Sequence, residues 1–435
     1  MMRTWKFNKM RGKIMKNKSS MKSIKKRKQQ FDIDFEGRDE RNFYQHILPN
    51  SLATTYEEDI TARIYGGRFT KKGNLYYASS QEELILYDTT DPNKWQLKTI
   101  YSPNNISWTI LDMDVDKNEQ FLRQETLRVV TDEEDNNRRR FFGMMSVKFS
   151  PCGKQTLSSS NRCQLLLYDL ESNRTIKKVE KAHQEDINSV CFSHHYNPNI
   201  FYSASDDCVL KVWDQRTLQD GKSCVGKFVG HSQGITCVAG RNDGNYLASN
   251  GKDQLLKLWD LRYMITPNNF LKVRPFKRNT AFDYRMHDFY LPNPLDQKRH
   301  PDDKSVMTFS GHEVLRTLIK CQFSPEQTTG QRYIISGGSN GEVHIFDILS
   351  GETATVLNDE QYDQEYFDEE DMCSRDVSWH PEVPLIAQTS FQCQIKVWNY
   401  ESDEIKIKEV KSEDQSMKQS RVMTRSMLKQ RNNKQ

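Results

Sequence analysis

The sequence predicts an all-β fold in which seven four-stranded sheets form the blades of a propeller. Helical periodicity is weak, and short apolar runs rich in β-branched and aromatic residues are bounded by Gly, Asn, Asp and Ser. Runs that end in an aromatic residue followed by Asp or Asn recur along the chain. A repeat of about 40–45 residues with four strands is typical of a propeller, because a single four-stranded sheet leaves both faces uncovered.

The repeated elements locate the units. The aromatic-Asp/Asn runs are LILYD (84–88), LLLYD (165–169), VLKVWD (209–214), LLKLWD (255–260), VHIFD (343–347) and IKVWN (395–399). Runs of a second type stand upstream: SVKFSP (146–151), SVCFSH (189–194), LIKCQFSP (318–325) and DVSWHP (376–381). From these we expect units at roughly 60–90, 106–135, 141–172, 186–216, 233–262, 315–350 and 374–401. The second unit is the least regular, since it has WTILDMDV (108–115) but no aromatic-Asp ending.

The remaining segments differ from the repeats in charge. Residues 1–30 carry 12 basic residues and no acidic one, and we expect this arm and the tail 402–435 to be disordered. Residues 31–55 mix aromatic and acidic residues and are interpreted as a segment that contacts an adaptor or packs on the propeller, which itself spans 56–401. Two insertions interrupt the propeller: an excursion at 263–304 and an acidic loop, LNDEQYDQEYFDEED (357–371), which is either solvated or competes for a basic substrate.

The charge distribution bears on partners and location. The body between the tails has more acidic than basic residues, which argues against nucleic-acid binding except nonspecifically through the basic tails. KKRK (25–28) is either a nuclear import signal or part of a solvated arm. No apolar run is long enough to span a membrane, and no secretory signal is evident. We therefore expect a protein of the nucleus, the cytoplasm or both.

No catalytic, metal or cofactor site is predicted. The nine cysteines include no CxxC pair and stand singly in apolar runs, which is typical of buried thiols in a reducing compartment. GGSNG (337–341) fits GxSxG, but it lies in a turn between strands and not at a strand–helix elbow. HEVLR (312–316) begins like HExxH but lacks the second histidine.

Paired dipeptides connect the repeat to a known family. Gly230-His231 precedes Trp259-Asp260, and Gly311-His312 precedes Phe346-Asp347. In these pairs the chain resembles the WD-repeat (WD40) family over about 56–401. The resemblance implies two structural networks, His183–Ser203–Asp207–Trp213 and His231–Ser249–Asp253–Trp259, in which buried polar groups satisfy one another. Other units depart from the pattern, since Asn340 and Phe346 accompany His312 and Ser336, and Gln388 and Gln392 stand in the last unit.

Two heptapeptides, KVWDQRT (211–217) and KLWDLRY (257–263), carry a feature that the core does not explain. Arg216 and Arg262 each follow an aspartate by two residues, so that Asp and Arg lie on one side of an extended chain. Both stand at the end of a third strand in neighbouring units, which places two guanidinium groups on the same face. A guanidinium there can bind carboxylates or carbonyls of a partner, or can simply brace its own aspartate.

The doubled Trp-Asp-x-Arg pattern resembles the WD-repeat substrate receptors of cullin-4 RING ubiquitin ligases. This implies docking to the adaptor, damaged-DNA-binding protein 1, through Asp214, Arg216, Asp260 and Arg262. The stretches 305–352, AHQEDINSVCF (182–192), DVSWHP and FDYR (282–285) are similar to the cullin-4-associated factor 11 family, also called WD repeat-containing protein 23. The resemblance implies a non-enzymatic subunit that presents proteins for ubiquitination and proteasomal degradation. The alternatives are a WD-repeat scaffold of another nuclear or RNA-processing complex, an enzyme, and a nucleic-acid binder. We expect substrate on the face opposite the arginines or at the excursion.

Overall fold

A computed structural model describes residues 47–57, 60, 62–103, 109–116, 142–194, 196–276, 282–289, 293–359 and 372–401. The basic arm with its KKRK sequence, most of the segment 31–55, the acidic loop from 360 and the tail 402–435 lie outside these residues. In the described part of the chain, no helix is long and apolar enough to cross a membrane.

The described residues form six antiparallel four-stranded sheets, which we number in chain order. Sheet I contains β2 (Gly66–Phe69), β3 (Leu75–Ser79), β4 (Leu84–Asp88) and β5 (Gln96–Tyr101). Sheet II contains β6 (Met144–Phe149), β7 (Gln155–Ser160), β8 (Leu165–Asp169) and β9 (Arg174–Val179). Sheet III contains β10 (Ile187–His194), β11 (Asn197–Ser205), β12 (Val209–Asp214) and β13 (Gly226–Val229).

The other three sheets follow the same plan. Sheet IV contains β14 (Ile235–Gly240), β15 (Tyr246–Gly251), β16 (Leu256–Asp260) and β17 (Met307–Phe309). Sheet V contains β18 (Cys321–Phe323), β19 (Tyr333–Gly337), β20 (Val343–Asp347) and β21 (Glu352–Leu357), with a short helix α1 (Glu326–Thr329) between β18 and β19. Sheet VI contains β22 (Ser374–Trp379), β23 (Ile386–Ser390) and β24 (Gln394–Asn399). Single 3-10 turns lie at Leu261–Tyr263, Pro267–Asn269 and Pro294–Asp296.

Sheet VI is completed by the first strand of the chain. β1 (Ser51–Tyr56) pairs antiparallel with β24, so that Ser51 lies opposite Asn399 and Tyr56 opposite Ile395. The propeller is therefore closed by a strand from the segment 31–55, whose described part packs on the sheets. Closure removes an exposed sheet edge, which would otherwise be a template for aggregation.

Apolar clusters between neighbouring sheets hold the ring together. The strands alternate side chains between the two faces of each sheet, and each buried face packs on the next sheet. Sheets VI and I share one such cluster, and further clusters join II to III, III to IV, IV to V and V to VI. Trp213, Trp259, Phe201 and Phe346 are fully buried in them. Part of sheet I packs on a segment without strands instead of on another sheet, since Leu75, Tyr77 and Leu86 contact Met113 and Val115.

The prediction of seven blades is wrong, because the described residues form six sheets. In the unit predicted at 106–135, the described residues 109–116 contain no strand. Side chains of this segment bind the backbone of β6. The Asp112 carboxylate accepts a hydrogen bond from the N–H of Val147, and the Asp114 carboxylate accepts one from the N–H of Phe149. Residues 116–140 are rich in charge and poor in apolar runs, so this part of the sequence lacks the three further apolar strands that a blade requires.

A long connection within sheet IV crosses from one face of the ring to the other. Residues 261–306, which we call the strap, join β16 to β17 and contain the excursion predicted at 263–304. The strap first follows the edge strand β13, where Ile265 pairs with Lys227. It then reaches the opposite face, where the backbone N–H of Arg316 donates to the carbonyl of Tyr284 at 2.8 Å. Its return is fixed by Gln297, whose side chain donates to the carbonyl of Asp253 at 2.7 Å.

Candidate interaction site

Two polar networks stabilise sheets III and IV internally. In sheet III the Trp213 indole N–H donates to the Ser203 hydroxyl at 2.8 Å, and Ser203 lies 2.7 Å from Nε2 of His183. Nδ1 of the same imidazole lies 2.9 Å from Asp207. Because the indole, the hydroxyl, the imidazole and the carboxylate of this network all have partners, the network adds stability that a partly satisfied one would lack.

Sheet IV repeats the arrangement with His231, Ser249, Asp253 and Trp259. The Trp259 indole donates to Ser249 at 2.8 Å, Ser249 lies 2.7 Å from Nε2 of His231, and Nδ1 lies 3.0 Å from both oxygens of Asp253. The structure thus brings together both sets of four residues named from the sequence. Neither set faces a substrate-sized space, since His183 and His231 are buried.

Sheets V and VI replace this network with other contacts. Nε2 of His312 lies 2.7 Å from the side-chain oxygen of Asn250, in sheet IV, while its buried Nδ1 has no hydrogen-bond partner in the described residues. In sheet VI the amide oxygen of Gln388 accepts the Trp398 indole N–H at 2.7 Å, as the serine does elsewhere. Gln392 contributes instead to a local turn, where its backbone N–H donates to Ser390 at 3.1 Å.

Arg216 is held by its own aspartate and is nevertheless exposed. Its backbone N–H and its Nε donate to Oδ1 of Asp214 at 3.0 Å each, and Nη2 donates to Oδ2 at 2.7 Å. The Arg216 side chain is 68% exposed, whereas that of Asp214 is 11% exposed. The carboxylate therefore fixes the plane of the guanidinium at the end of β12 and leaves its Nη1 edge open to solvent.

Arg262 has the same geometry one sheet further along the ring. Its backbone N–H and Nε donate to Oδ1 of Asp260 at 2.9 Å, and Nη2 donates to Oδ2 at 2.5 Å. Nη2 also donates to the Tyr246 hydroxyl at 3.1 Å, and the side chain is 65% exposed. The hydrogen bond from Arg262 holds the pKa of the Asp260 carboxyl below its ordinary value, and the bond from Arg216 does the same for Asp214.

Both arginines lie on one face of neighbouring sheets. β12 and β16 run in the same direction within sheets III and IV, whose inner strands β10 and β14 are adjacent. We call this surface the Arg face, and the opposite surface, which carries the loops of His183 and His231, the His face. The aspartate–arginine pairing is therefore local, as the simpler interpretation expected. It leaves two preoriented and exposed guanidiniums on neighbouring sheets.

The third strands of the other sheets end differently. Asp88 accepts from Thr90 at 2.6 Å and Asp169 from Ser172 at 2.5 Å, so these carboxylates are satisfied by hydroxyl groups. Asp347 is paired with Arg332, which comes from the preceding loop, and only 24% of that side chain is exposed. In the described residues, the exposed guanidiniums that pair with the aspartate at the end of a third strand are thus those of Arg216 and Arg262.

A third arginine that pairs with the aspartate two residues earlier lies on the His face, in the sequence FDYR of the strap. Arg285 donates from its backbone N–H and Nε to Oδ1 of Asp283 at 3.1 Å and from Nη2 to Oδ2 at 2.9 Å, and its side chain is 65% exposed. The bond from Arg285 lowers the pKa of the Asp283 carboxyl to about 2. The neighbouring Tyr284 ring covers the Lys252 ammonium at 4.0 Å, and these residues line a cavity of about 380 Å³.

The residues of the enzyme-like matches make contacts with one another in the described part of the chain. The Ser339 hydroxyl of GGSNG donates to the Glu313 carboxylate at 2.5 Å, and the structure places it in the turn between β19 and β20. No group of three potential metal-ligating side chains occurs in the described residues. All nine cysteines are free thiols, of which five are buried: Cys208, Cys224, Cys237, Cys321 and Cys373.

Comparisons with known proteins agree with this architecture. The family model described as "WD domain, G-beta repeat" matches residues 174–214 and 222–260. The LEC14B protein of Lithospermum erythrorhizon is 33% identical over 371 residues, which cover 80% of this chain and 75% of that protein. A DDB1- and CUL4-associated factor 11 homologue of Caenorhabditis elegans is 30% identical over 379 residues, covering 81% of this chain and 63% of that protein. Among solved structures, the WD40 β-propeller domain of Doa1 matches with a TM-score of 0.55 at 13% identity, covering 81% of this chain and 97% of that one.

Proposed function

Because the chain belongs to the family of WD-repeat proteins that includes the LEC14B proteins and the DDB1- and CUL4-associated factor 11 homologues, we propose that it is a substrate receptor of a cullin-4 RING ubiquitin ligase. In this function the Arg face binds the adaptor, damaged-DNA-binding protein 1, and a substrate protein binds elsewhere on the propeller. The chain supplies binding and positioning, and the ligase supplies the chemistry.

The observation that carries this proposal is the pair of exposed guanidiniums on neighbouring sheets. Each one is oriented by a largely buried carboxylate, so little side-chain freedom remains to be lost on binding. A planar guanidinium with a free edge suits carboxylates and backbone carbonyls of a partner, and arginine is enriched among the residues that dominate protein interfaces. Tyr263 is 62% exposed next to Arg262 and adds an aromatic contact to the same surface.

The experiment compares adaptor binding by the wild-type chain and by the double variant Arg216→Ala, Arg262→Ala. Since hot-spot residues contribute about 2 kcal/mol or more each, we expect the double variant to bind roughly 1,000-fold more weakly. The variant Arg216→Lys, Arg262→Lys keeps the charge but not the planar fork, and we expect it to lose most of the affinity as well. Equal binding by the wild type and the double alanine variant, measured by calorimetry with purified adaptor, refutes the docking mode.

Arg285→Ala is the matched control. It removes a guanidinium with the same Asp-x-Arg geometry and the same 65% exposure as Arg262, but on the His face. We expect this variant to bind the adaptor as the wild type does. If Arg285→Ala weakens adaptor binding as much as the Arg face variant, general charge and not the position of the pair determines docking.

The His face is the side that we assign to substrate. The strap brings Phe282–Arg285 to this face, so the two places expected from the sequence, the face opposite the arginines and the excursion, form a single surface. In cells, Arg285→Ala should assemble with the ligase normally and change which proteins carry ubiquitin remnants. An unchanged ubiquitin-remnant profile, measured by mass spectrometry, counts against this assignment.

A further inference from the structure

The centre of the ring contains a cavity of about 260 Å³ that is lined by every inner strand. Arg68 lies on β2, Lys148 on β6, Cys191 on β10, Cys237 on β14, Lys320 at the start of β18 and Arg375 on β22. The cavity is slightly smaller than the roughly 300–1,000 Å³ of drug-sized ligand sites, so it suits a small ligand and not a folded segment of protein.

Positive charge exceeds negative charge around this cavity. Among the described residues, its lining contains the cations Arg68, Lys71, Lys148, Lys320 and Arg375 and the carboxylates Asp112 and Asp114. Asp376 adds a third carboxylate just outside the lining, where it pairs with Lys320 at 3.1 Å. The surplus is therefore present even when all the nearby carboxylates are ionised.

The carboxylates are already shared among three of the cations. Asp112 pairs with Lys148 at 2.8 Å and with Lys320 at 2.9 Å. Although burial opposes ionisation, these two ammonium groups hold the pKa of the Asp112 carboxyl well below its ordinary value. Arg68 lies 3.8 Å from Asp376 through its Nε and also interacts electrostatically with Asp112 and Asp114. That nitrogen has no hydrogen-bond partner in the described residues.

Arg375 is the cation that no carboxylate of the described residues neutralises. Its side chain is 2% exposed and its Nη1 donates to the carbonyls of Tyr65 and Leu111. Its buried Nε has no hydrogen-bond partner in the same part of the chain. Carbonyl groups satisfy individual N–H donors but do not cancel a buried charge, which is costly unless an anion accompanies it.

We propose that the central cavity binds a small phosphate-bearing anion. The cations Arg68, Lys148, Lys320 and Arg375 would surround this anion. Guanidinium and ammonium groups together are the side chains that recognise phosphate oxygens. The Nε–H groups of Arg68 and Arg375 have no hydrogen-bond partner in the described residues. The cations belong to sheets I, II, V and VI, so the anion links the sheets on both sides of the segment 109–116. That segment occupies the gap where a seventh sheet was expected.

Thermal unfolding of the full chain tests the proposal in buffers with inorganic phosphate or with chloride at equal ionic strength. If the site binds, the Tm rises by roughly 3–5 °C at a phosphate concentration 100-fold above Kd. Inositol hexakisphosphate is a second probe, and a larger shift with it than with inorganic phosphate indicates that the phosphate belongs to a larger ligand. Calorimetric titration of wild-type protein with both probes measures Kd directly, and the absence of heat with both overturns the proposal.

Variants locate the site. Arg375→Gln removes the unneutralised charge and keeps one amide donor, so we expect Kd for phosphate to rise at least tenfold. In chloride its Tm should equal or exceed that of the wild type, because the excess charge is gone. Lys98→Gln, which removes an exposed cation of β5, should leave Kd unchanged. If phosphate stabilises all three proteins equally, it acts through the surface and the proposal is wrong.

A second variant and a direct measurement guard against failure of Arg375→Gln to fold. Lys148→Gln removes a cation of β6 that is partly neutralised by Asp112, and it should also weaken phosphate binding. Phosphate released on denaturing the purified wild-type protein, prepared without phosphate, should approach one equivalent per chain or rise to that level after incubation with phosphate and gel filtration. Less than a tenth of an equivalent under both conditions contradicts a specific site.

Discussion

Replacing Ser249 by alanine tests the energetic role of the polar network in sheet IV. The Ser249 hydroxyl accepts the indole N–H of Trp259 at 2.8 Å and lies 2.7 Å from Nε2 of His231. Since Nδ1–H of His231 donates to Asp253, its Nε2 is the acceptor of the serine proton. The substitution therefore leaves one donor and one acceptor unsatisfied, and Trp259 and His231 are both 1% exposed.

The expected cost follows from those two orphaned groups. A buried polar group without a partner costs about 1–3 kcal/mol, so the pair gives about 2–6 kcal/mol. We expect the free energy of unfolding to fall by about 3–4 kcal/mol, since water entry and local relaxation recover part of the upper limit. In the background Trp259→Phe, which lacks the donor, the same serine substitution should cost at least about 1 kcal/mol less.

Ser336→Ala is the matched control, because this serine stands at the same position of its sheet and is also fully buried. Phe346 replaces the tryptophan there. Ser336 accepts from the side-chain amide of Asn250 at 3.2 Å and donates to the backbone carbonyl of Gly337 at 3.0 Å. That amide nitrogen also lies 3.4 Å from the carbonyl of Ile319, so it keeps a partner when the hydroxyl is removed. We expect Ser336→Ala to cost less than about 1 kcal/mol.

Guanidinium denaturation followed by tryptophan fluorescence measures both variants. The comparison requires equal m-values, which indicate that the same surface is exposed on unfolding. If Ser249→Ala and Ser336→Ala lower the free energy of unfolding by amounts within about 0.5 kcal/mol of each other, the network has no special contribution and the reasoning is refuted.

Three further variants address other features. Burial lowers the pKa of His312 to about 3, so the imidazole stays neutral in the folded protein. In the unfolded chain it is protonated below about pH 6.5. The free energy of unfolding therefore decreases as the pH falls below about 6.5. His312→Gln should therefore reduce the stability lost between pH 6 and 5 by about 1 kcal/mol. Equal slopes for this variant and the wild type in pH-dependent denaturation contradict the prediction. Asp303→Asn breaks the buried pair with Lys257 (3.0 Å) and should cost about 3–5 kcal/mol. Glu171→Gln in the exposed pair with Lys154 (3.0 Å) should cost clearly less, and similar costs for the two variants would exclude burial as the cause. A chain that begins at residue 57 lacks β1 and should self-associate through the open edge of β24, which light scattering detects; a stable monomer would contradict this.

The repeat pattern predicted the sheets well where each strand has its own apolar signal. The runs ending at Asp88, Asp169, Asp214, Asp260 and Asp347 all form third strands. The same reasoning failed at 106–135, because spacing alone implied a unit where the sequence supplies only one apolar run. A period indicates where a sheet would fit, whereas burial of both sheet faces decides whether one forms.

The repeat pattern did not predict contacts between residues that are far apart in the sequence. Nothing near Ser51–Tyr56 indicates that its partner lies at the other end of the propeller, although its β-branched and aromatic residues are compatible with a strand. The function of Gln388 as acceptor for Trp398 was likewise hidden, because a longer amide reaches the position that a serine occupies in sheets III and IV. The sequence did locate Arg216 and Arg262, while their exposure and bidentate pairing required the structure.

The pairing of β1 with β24 has a consequence during synthesis of the chain. Ser51 and Asn399 are separated by 348 positions, yet their side chains are hydrogen-bonded at 3.0 Å. At about 5–20 residues per second, the ribosome makes the first strand roughly 20–70 s before its partner strand emerges. A nascent chain that stalls anywhere in between therefore cannot complete its last sheet. The strand β1 then stays unpaired, and chaperones and proteases can distinguish this incomplete product from the closed propeller.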